Sequence, residues 1–66
     1  MTDYNLFANI YSDMKAQLDK SEDEMALSVG FTEEEEHEFF KERIVSQAVA
    51  RKIMEFHRKH CTWSKN

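Results

Sequence analysis

The feature that most constrains this chain is its shortage of turn-forming residues. Its 66 residues include no proline and a single glycine, Gly30. A small sheet needs tight turns between its strands, and those turns are usually built from glycine and proline. The composition therefore predicts an all-α fold. No Gly-, Ser- or Pro-rich stretch divides the chain, so we expect a single helical domain over residues 1–66.

The first predicted helix is amphipathic. Apolar residues recur at spacings of three and four from Leu6 to Leu18, which is typical of a helix with one buried face. We predict a helix over residues 3–19 with Thr2 or Asp3 as its N-cap. The residues expected to dock it on the core are Phe7, Ile10, Met14 and Leu18.

A capping box marks the start of the second helix. Ser21 is followed three residues later by Glu24, so each side chain can accept a hydrogen bond from the other residue's backbone N–H. We predict a short helix over residues 22–29. Gly30 should end it, because glycine tolerates the left-handed conformation that terminates helices.

The third helix is predicted to be long. Thr32 and Glu35 repeat the capping-box pattern, and no strong helix breaker follows before Cys61. We therefore predict a helix over residues 33–60 and a tail over 61–66. The expected architecture is a small three-helix unit in which two shorter helices pack on a long C-terminal helix.

This long helix would carry more apolar surface than two short helices can cover, because its apolar residues fall on two faces. A bend near Ser46–Gln47 would let both halves face one core. We favour the alternative, an association surface, since oligomerisation often stabilises small domains. The simplest form is an antiparallel homodimer. The residues assigned to partner binding or self-association are Phe39, Phe40, Ile44, Val45, Val49, Ile53, Met54 and Phe56.

Charge is sorted along the chain. Residues 1–40 carry a net charge of −9 and residues 41–66 a net charge of +5, for a total of −4. Acids at a helix start and bases at its end complement the helix dipole, which is the simplest explanation. The same distribution suits antiparallel pairing of two copies, and an acidic helix start could also mimic phosphates in a basic site. The predicted acidic face consists of Glu33, Glu34, Glu35, Glu36 and Glu38.

Nucleic-acid binding is the alternative function. The segment 24–32 resembles the first half of a helix-turn-helix, but the next helix begins with four glutamates, which phosphates would repel. The basic C-terminal region is a better candidate, through phosphate and stacking contacts. Its predicted contact residues are Arg51, Lys52, Arg58, Lys59 and Trp63.

Catalysis and metal binding are not expected. His57, His60 and Cys61 have a spacing that suits metal ligands, but a structural zinc site needs four ligands and a helix end readily explains the histidines. We predict no enzyme activity, no metal and no cofactor. The lone cysteine excludes an internal disulfide and suits a reducing compartment. With no apolar run of ~18–20 residues, we expect a cytoplasmic protein rather than a membrane protein.

These observations predict a small non-enzymatic protein–protein interaction module. We expect a regulator or inhibitor that binds a larger protein, of the kind that bacteria, plasmids and phages encode. The alternative is a small nucleic-acid-binding transcription factor that uses its basic C-terminal helix.

Overall fold

The computed structural model describes residues 3–63 and is mostly helical, with no strand in that part of the chain. The all-α class is therefore confirmed. None of the helices described is long and apolar enough to cross a membrane. Residues 3–63 form four helices, which are α1 (Tyr4–Leu18), α2 (Glu22–Val29), α3 (Glu33–Glu36, continuing as a π-helix over His37–Glu42) and α4 (Gln47–His60).

The first two helices begin and end close to where their sequence signals predict. The Asp3 carboxylate caps α1 by accepting a hydrogen bond from the Asn5 backbone N–H at 3.0 Å, while the alternative cap, Thr2, lies outside the described residues. Ser21 and Glu24 form the reciprocal capping box of α2. Gly30 ends α2 with a positive φ of 93°.

The prediction of one continuous helix over residues 33–60 is wrong. The helix that starts after the Thr32 cap widens into its π-helical part and ends at Arg43, which has a left-handed φ of 58°. Ser46 then caps α4 by accepting a hydrogen bond from the Val49 backbone N–H at 3.2 Å. The interruption at residues 43–46 coincides with the bend considered as an alternative. It lets apolar residues on both sides of the break reach one core.

Aromatic side chains from α1, α3 and the connection between α2 and α3 form the centre of that core. Tyr11 lies edge-on to Phe39 and Phe40, at centroid distances of 5.4 and 5.5 Å, and is stacked with Phe31 at 6.0 Å. Its hydroxyl donates a hydrogen bond to the Glu22 carbonyl at 2.6 Å. The buried apolar residues are Phe7, Ile10, Tyr11, Met14, Met25, Ala26, Phe31, Phe39, Val45, Val49 and Ile53.

Candidate protein-interaction surface

Half of the residues assigned to association belong to the core of this chain. Phe39, Val45, Val49 and Ile53 are all less than 10% exposed. They are not available to a partner, because the break at residues 43–46 lets side chains from both sides of it enter one core. The other four lie nearer the surface. Ile44 and Met54 are exposed, and Phe40 and Phe56 are half-buried.

The predicted acidic face is partly used within the chain. The Glu35 carboxylate accepts hydrogen bonds from the Lys52 ammonium at 2.5 Å and from the Thr32 backbone N–H at 2.9 Å. The Lys52 bond is the main reason why the pKa of Glu35 lies below its ordinary value. Opposite charges of α3 and α4 thus meet inside one chain. Of the other four glutamates, Glu33 and Glu34 are exposed, and Glu36 and Glu38 are half-buried.

Of the predicted basic contact residues, Lys52 is engaged within the chain and the others are exposed. Lys52 also donates a hydrogen bond to the Gly30 carbonyl at 3.0 Å, so its ammonium is held between α2 and α3. Arg51, Arg58 and Lys59 are exposed on α4. Within residues 3–63 none of these three forms an ion pair with an acidic side chain.

Three large exposed apolar side chains line two clefts, one between α1 and the segment after α4 and one between α4 and that segment. Leu6, Met54 and Trp63 are 52%, 40% and 51% exposed. Trp63 lines both clefts. One, of about 210 Å³, is lined by Leu6, Asn9, Ile10, Asp13 and Trp63, and the other, of about 290 Å³, by Met54, Glu55, Arg58 and Trp63. We call Leu6, Met54, Arg58 and Trp63 the Trp63 surface.

A fully buried histidine lies beneath this surface. The rings of His57 and Trp63 are 4.0 Å apart between centroids, and His57 is 0% exposed. His57 Nε2 lies 3.1 Å from Asp13 Oδ2, whereas Nδ1 has no hydrogen-bond partner among the described residues. With its proton on Nε2, the ring donates to the Asp13 carboxylate.

Gln17 joins the segment after α4 to α1. Its side-chain N–H group donates to the Thr62 carbonyl at 2.8 Å, and its side-chain oxygen accepts from the Thr62 backbone N–H at 3.0 Å. The same Gln17 nitrogen donates to Asp13 Oδ2 at 2.6 Å. Thr62, and with it the neighbouring Trp63, is therefore tied to the network that includes His57.

The residues with metal-ligand spacing have separate environments. His57 is directed at Asp13, while His60 packs against Phe56 with 4.4 Å between ring centroids. Burial, aided by the Asp13 charge, raises the pKa of the Cys61 thiol, which disfavours the nucleophilic thiolate. No three His, Cys, Asp or Glu side chains within residues 3–63 are grouped so that they could hold a metal ion.

The sequence predicts neither the exposure of Leu6 nor its proximity to Trp63, which it indicates only as a nucleic-acid contact. Leu6 belongs to the apolar pattern of α1, but it lies at the edge of the buried face. Trp63 follows α4 and carries no periodic signal. An exposed leucine and a tryptophan 57 residues later come together only when the chain folds.

No protein-family model, curated protein or solved structure matches this chain.

Proposed function

We propose that this protein is a non-enzymatic protein-binding module, a small regulator or inhibitor that binds a larger protein through the Trp63 surface. The observation that carries the proposal is the exposure of Leu6, Met54 and Trp63 around two clefts that share Trp63 as a lining residue. Contiguous exposed apolar patches commonly mark interaction sites. Tryptophan and arginine are also the residue types most enriched among energetically dominant interface residues.

The occupant that fits this surface is an amphipathic helix of another protein. The two clefts that Trp63 lines can each receive an apolar side chain, and helices present such side chains at i, i+3 or i+4. Arg58 lies at the edge of the larger cleft, and Arg51 and Lys59 are exposed on the same helix. Glu55 is the lone acid in α4. This positive charge favours a partner helix with an acidic residue beside its apolar face.

Photo-crosslinking from two leucines tests the location of the binding surface. A photoreactive phenylalanine analogue replaces Leu6 in one variant and Leu27 in the other. Leu27, on α2, is the matched control, since it is 76% exposed but does not line either cleft. We expect a discrete crosslinked adduct between this chain and its partner protein from position 6 only. Equal adducts from both positions would contradict the proposed surface.

The captured protein is then purified and titrated with variants of this chain. Met54→Glu and Trp63→Ala should each weaken binding by about 30-fold, the effect expected for central interface residues. Arg58→Glu should weaken binding more than Lys41→Glu, which changes an exposed base on the π-helical part of α3. An affinity unaffected by Met54→Glu and Trp63→Ala would refute the proposal.

A second copy of the chain is the competing occupant. Sedimentation across a range of protein concentrations distinguishes it. A dimer that Met54→Glu dissociates without unfolding would assign the Trp63 surface to self-association and refute binding of a different protein there. A monomer at tens of micromolar is the result expected from our proposal.

Nucleic acid is the second candidate ligand, because Trp63 is half-exposed beside Arg58 and could stack on a base. Trp63 is the sole tryptophan, so its fluorescence reports directly on this site. We expect no saturable change on titration with single-stranded DNA or RNA oligonucleotides. A change that saturates, weakens with added salt and disappears in Arg58→Glu would favour nucleic-acid binding instead.

A further inference from the structure

The segment after α4 is held by hydrogen bonds to the Gln17 side chain rather than by regular secondary structure. The Gln17 side-chain amide pairs with both the N–H and the C=O of Thr62, at 3.0 and 2.8 Å. The one other backbone hydrogen bond described for this segment joins the Cys61 N–H to the His57 carbonyl at 2.9 Å. Segments outside helices and strands are usually less ordered unless hydrogen bonds hold them, so Gln17 is well placed to order residues 61–63.

Asp13 links this contact to the ring beneath Trp63. Its Oδ2 atom accepts from Gln17 Nε2 at 2.6 Å and lies 3.1 Å from His57 Nε2. The carboxylate therefore fixes the orientation of the amide that holds Thr62 and of the imidazole that Trp63 covers. Two groups that adjoin Trp63, the backbone of Thr62 and the ring of His57, are therefore linked through one oxygen atom.

We propose that Gln17, Asp13 and His57 form a clamp that holds Trp63 in place as a pre-formed part of the binding surface. The effect of the clamp on binding affinity rests on the proposed function, whereas its effect on the position of Trp63 does not. A tryptophan on an unrestrained segment would lose rotamer and backbone freedom when a partner bound. A clamped tryptophan has lost much of that freedom beforehand, and such preorganisation strengthens binding. Gln17 is thus a positioning residue.

The first test removes the amide of Gln17 while keeping its length and helix propensity. In Gln17→Met, the protection of the Thr62 amide against hydrogen exchange, measured by NMR, should fall roughly fivefold for each hydrogen bond lost. Quenching of Trp63 fluorescence by acrylamide should increase. The helical circular dichroism and the protection of Ile53, in the core, should not change. Ser12→Ala, an exposed polar position on α1, is the matched control.

Asp13 variants test the shared oxygen. Asp13→Ala should release Trp63 as Gln17→Met does, whereas Asp13→Asn should largely retain the wild-type quenching, because its amide oxygen can still accept a hydrogen bond. The clamp is refuted if Gln17→Met and Ser12→Ala give the same Thr62 protection and the same Trp63 quenching. Equal quenching in Asp13→Ala and the wild type would refute it too.

Failure of the clamp and failure of the proposed function are distinguishable, since these readouts need no partner. With a partner in hand, a double-mutant cycle tests the link between them. Gln17→Met should weaken binding several-fold in the wild-type background and have no effect in Trp63→Ala. An equal loss in both backgrounds would show that Gln17 acts on binding independently of Trp63.

Discussion

At the scale of single residues, the start of α3 depends on Thr32. Its hydroxyl accepts the Glu35 backbone N–H at 3.1 Å, and the Glu35 carboxylate accepts the Thr32 backbone N–H. Thr32→Ala should lower the free energy of unfolding by about 0.5–2 kcal/mol. Urea unfolding measures this loss. The control Ser12→Ala should stay within about 0.5 kcal/mol of the wild type, and an equally small effect of Thr32→Ala would contradict the assigned cap.

Glu35 also gives the stability a defined pH dependence. Its pKa in the folded protein is lowered from 4.5, first by the Lys52 hydrogen bond, so the unfolded chain takes up this proton at higher pH. The stability linked to Glu35 is therefore present above about pH 4.5 and is lost as the pH falls through the folded-state pKa. Glu35→Gln should reduce the difference in unfolding free energy between pH 7 and pH 3, measured with urea. An unchanged difference would contradict this.

At the scale of elements, two helices end at residues that carry a side chain in the left-handed conformation. Asp19 follows α1 with a φ of 53°, and Arg43 follows α3 with a φ of 58°. In the folded protein this conformation costs a non-glycine residue roughly 1–2 kcal/mol more than glycine. Replacing the residue by glycine recovers that cost, but glycine's greater freedom in the unfolded chain offsets about 0.4–1 kcal/mol of the gain.

Arg43→Gly should therefore stabilise the protein, by about 0.5–1 kcal/mol. Thermal and urea unfolding can measure the gain. Arg51→Gly, in the middle of α4, should instead destabilise by about 1 kcal/mol, because that residue is helical. If Arg43→Gly also destabilised the protein, the break between α3 and α4 would not lie where the structure has it.

The signals that predicted the helix ends differ in strength. Ser21 and Thr32 each have a glutamate three residues later, which makes a recognisable capping box. Ser46 has Val49 at that position, so it caps α4 without the reciprocal partner. Arg43 is not a residue type that predicts a left-handed conformation. The break at residues 43–46 was therefore visible only as an apolar pattern with two faces.

At the scale of the whole molecule, one face of α4 belongs to the core and another face is exposed to solvent. Val49 is fully buried, and Met54 is 40% exposed. Val49→Asp should unfold the chain, because the free-energy cost of burying an unpaired charge exceeds the free energy of unfolding of so small a domain. Met54→Asp should remain folded, within about 0.5 kcal/mol of the wild type. Circular dichroism separates the two outcomes, and a folded Val49→Asp monomer would contradict this core.

The sequence by itself determined the all-α class, the extents of α1 and α2, and the caps at Ser21 and Thr32. These features depend on residues within about one helical turn of each other, so local rules suffice. Only the tertiary structure decided which apolar residues of 33–60 are core and which remain exposed. It also decided that Leu6 and Trp63 share one surface over His57, because contacts between residues far apart in sequence depend on how the intervening helices pack.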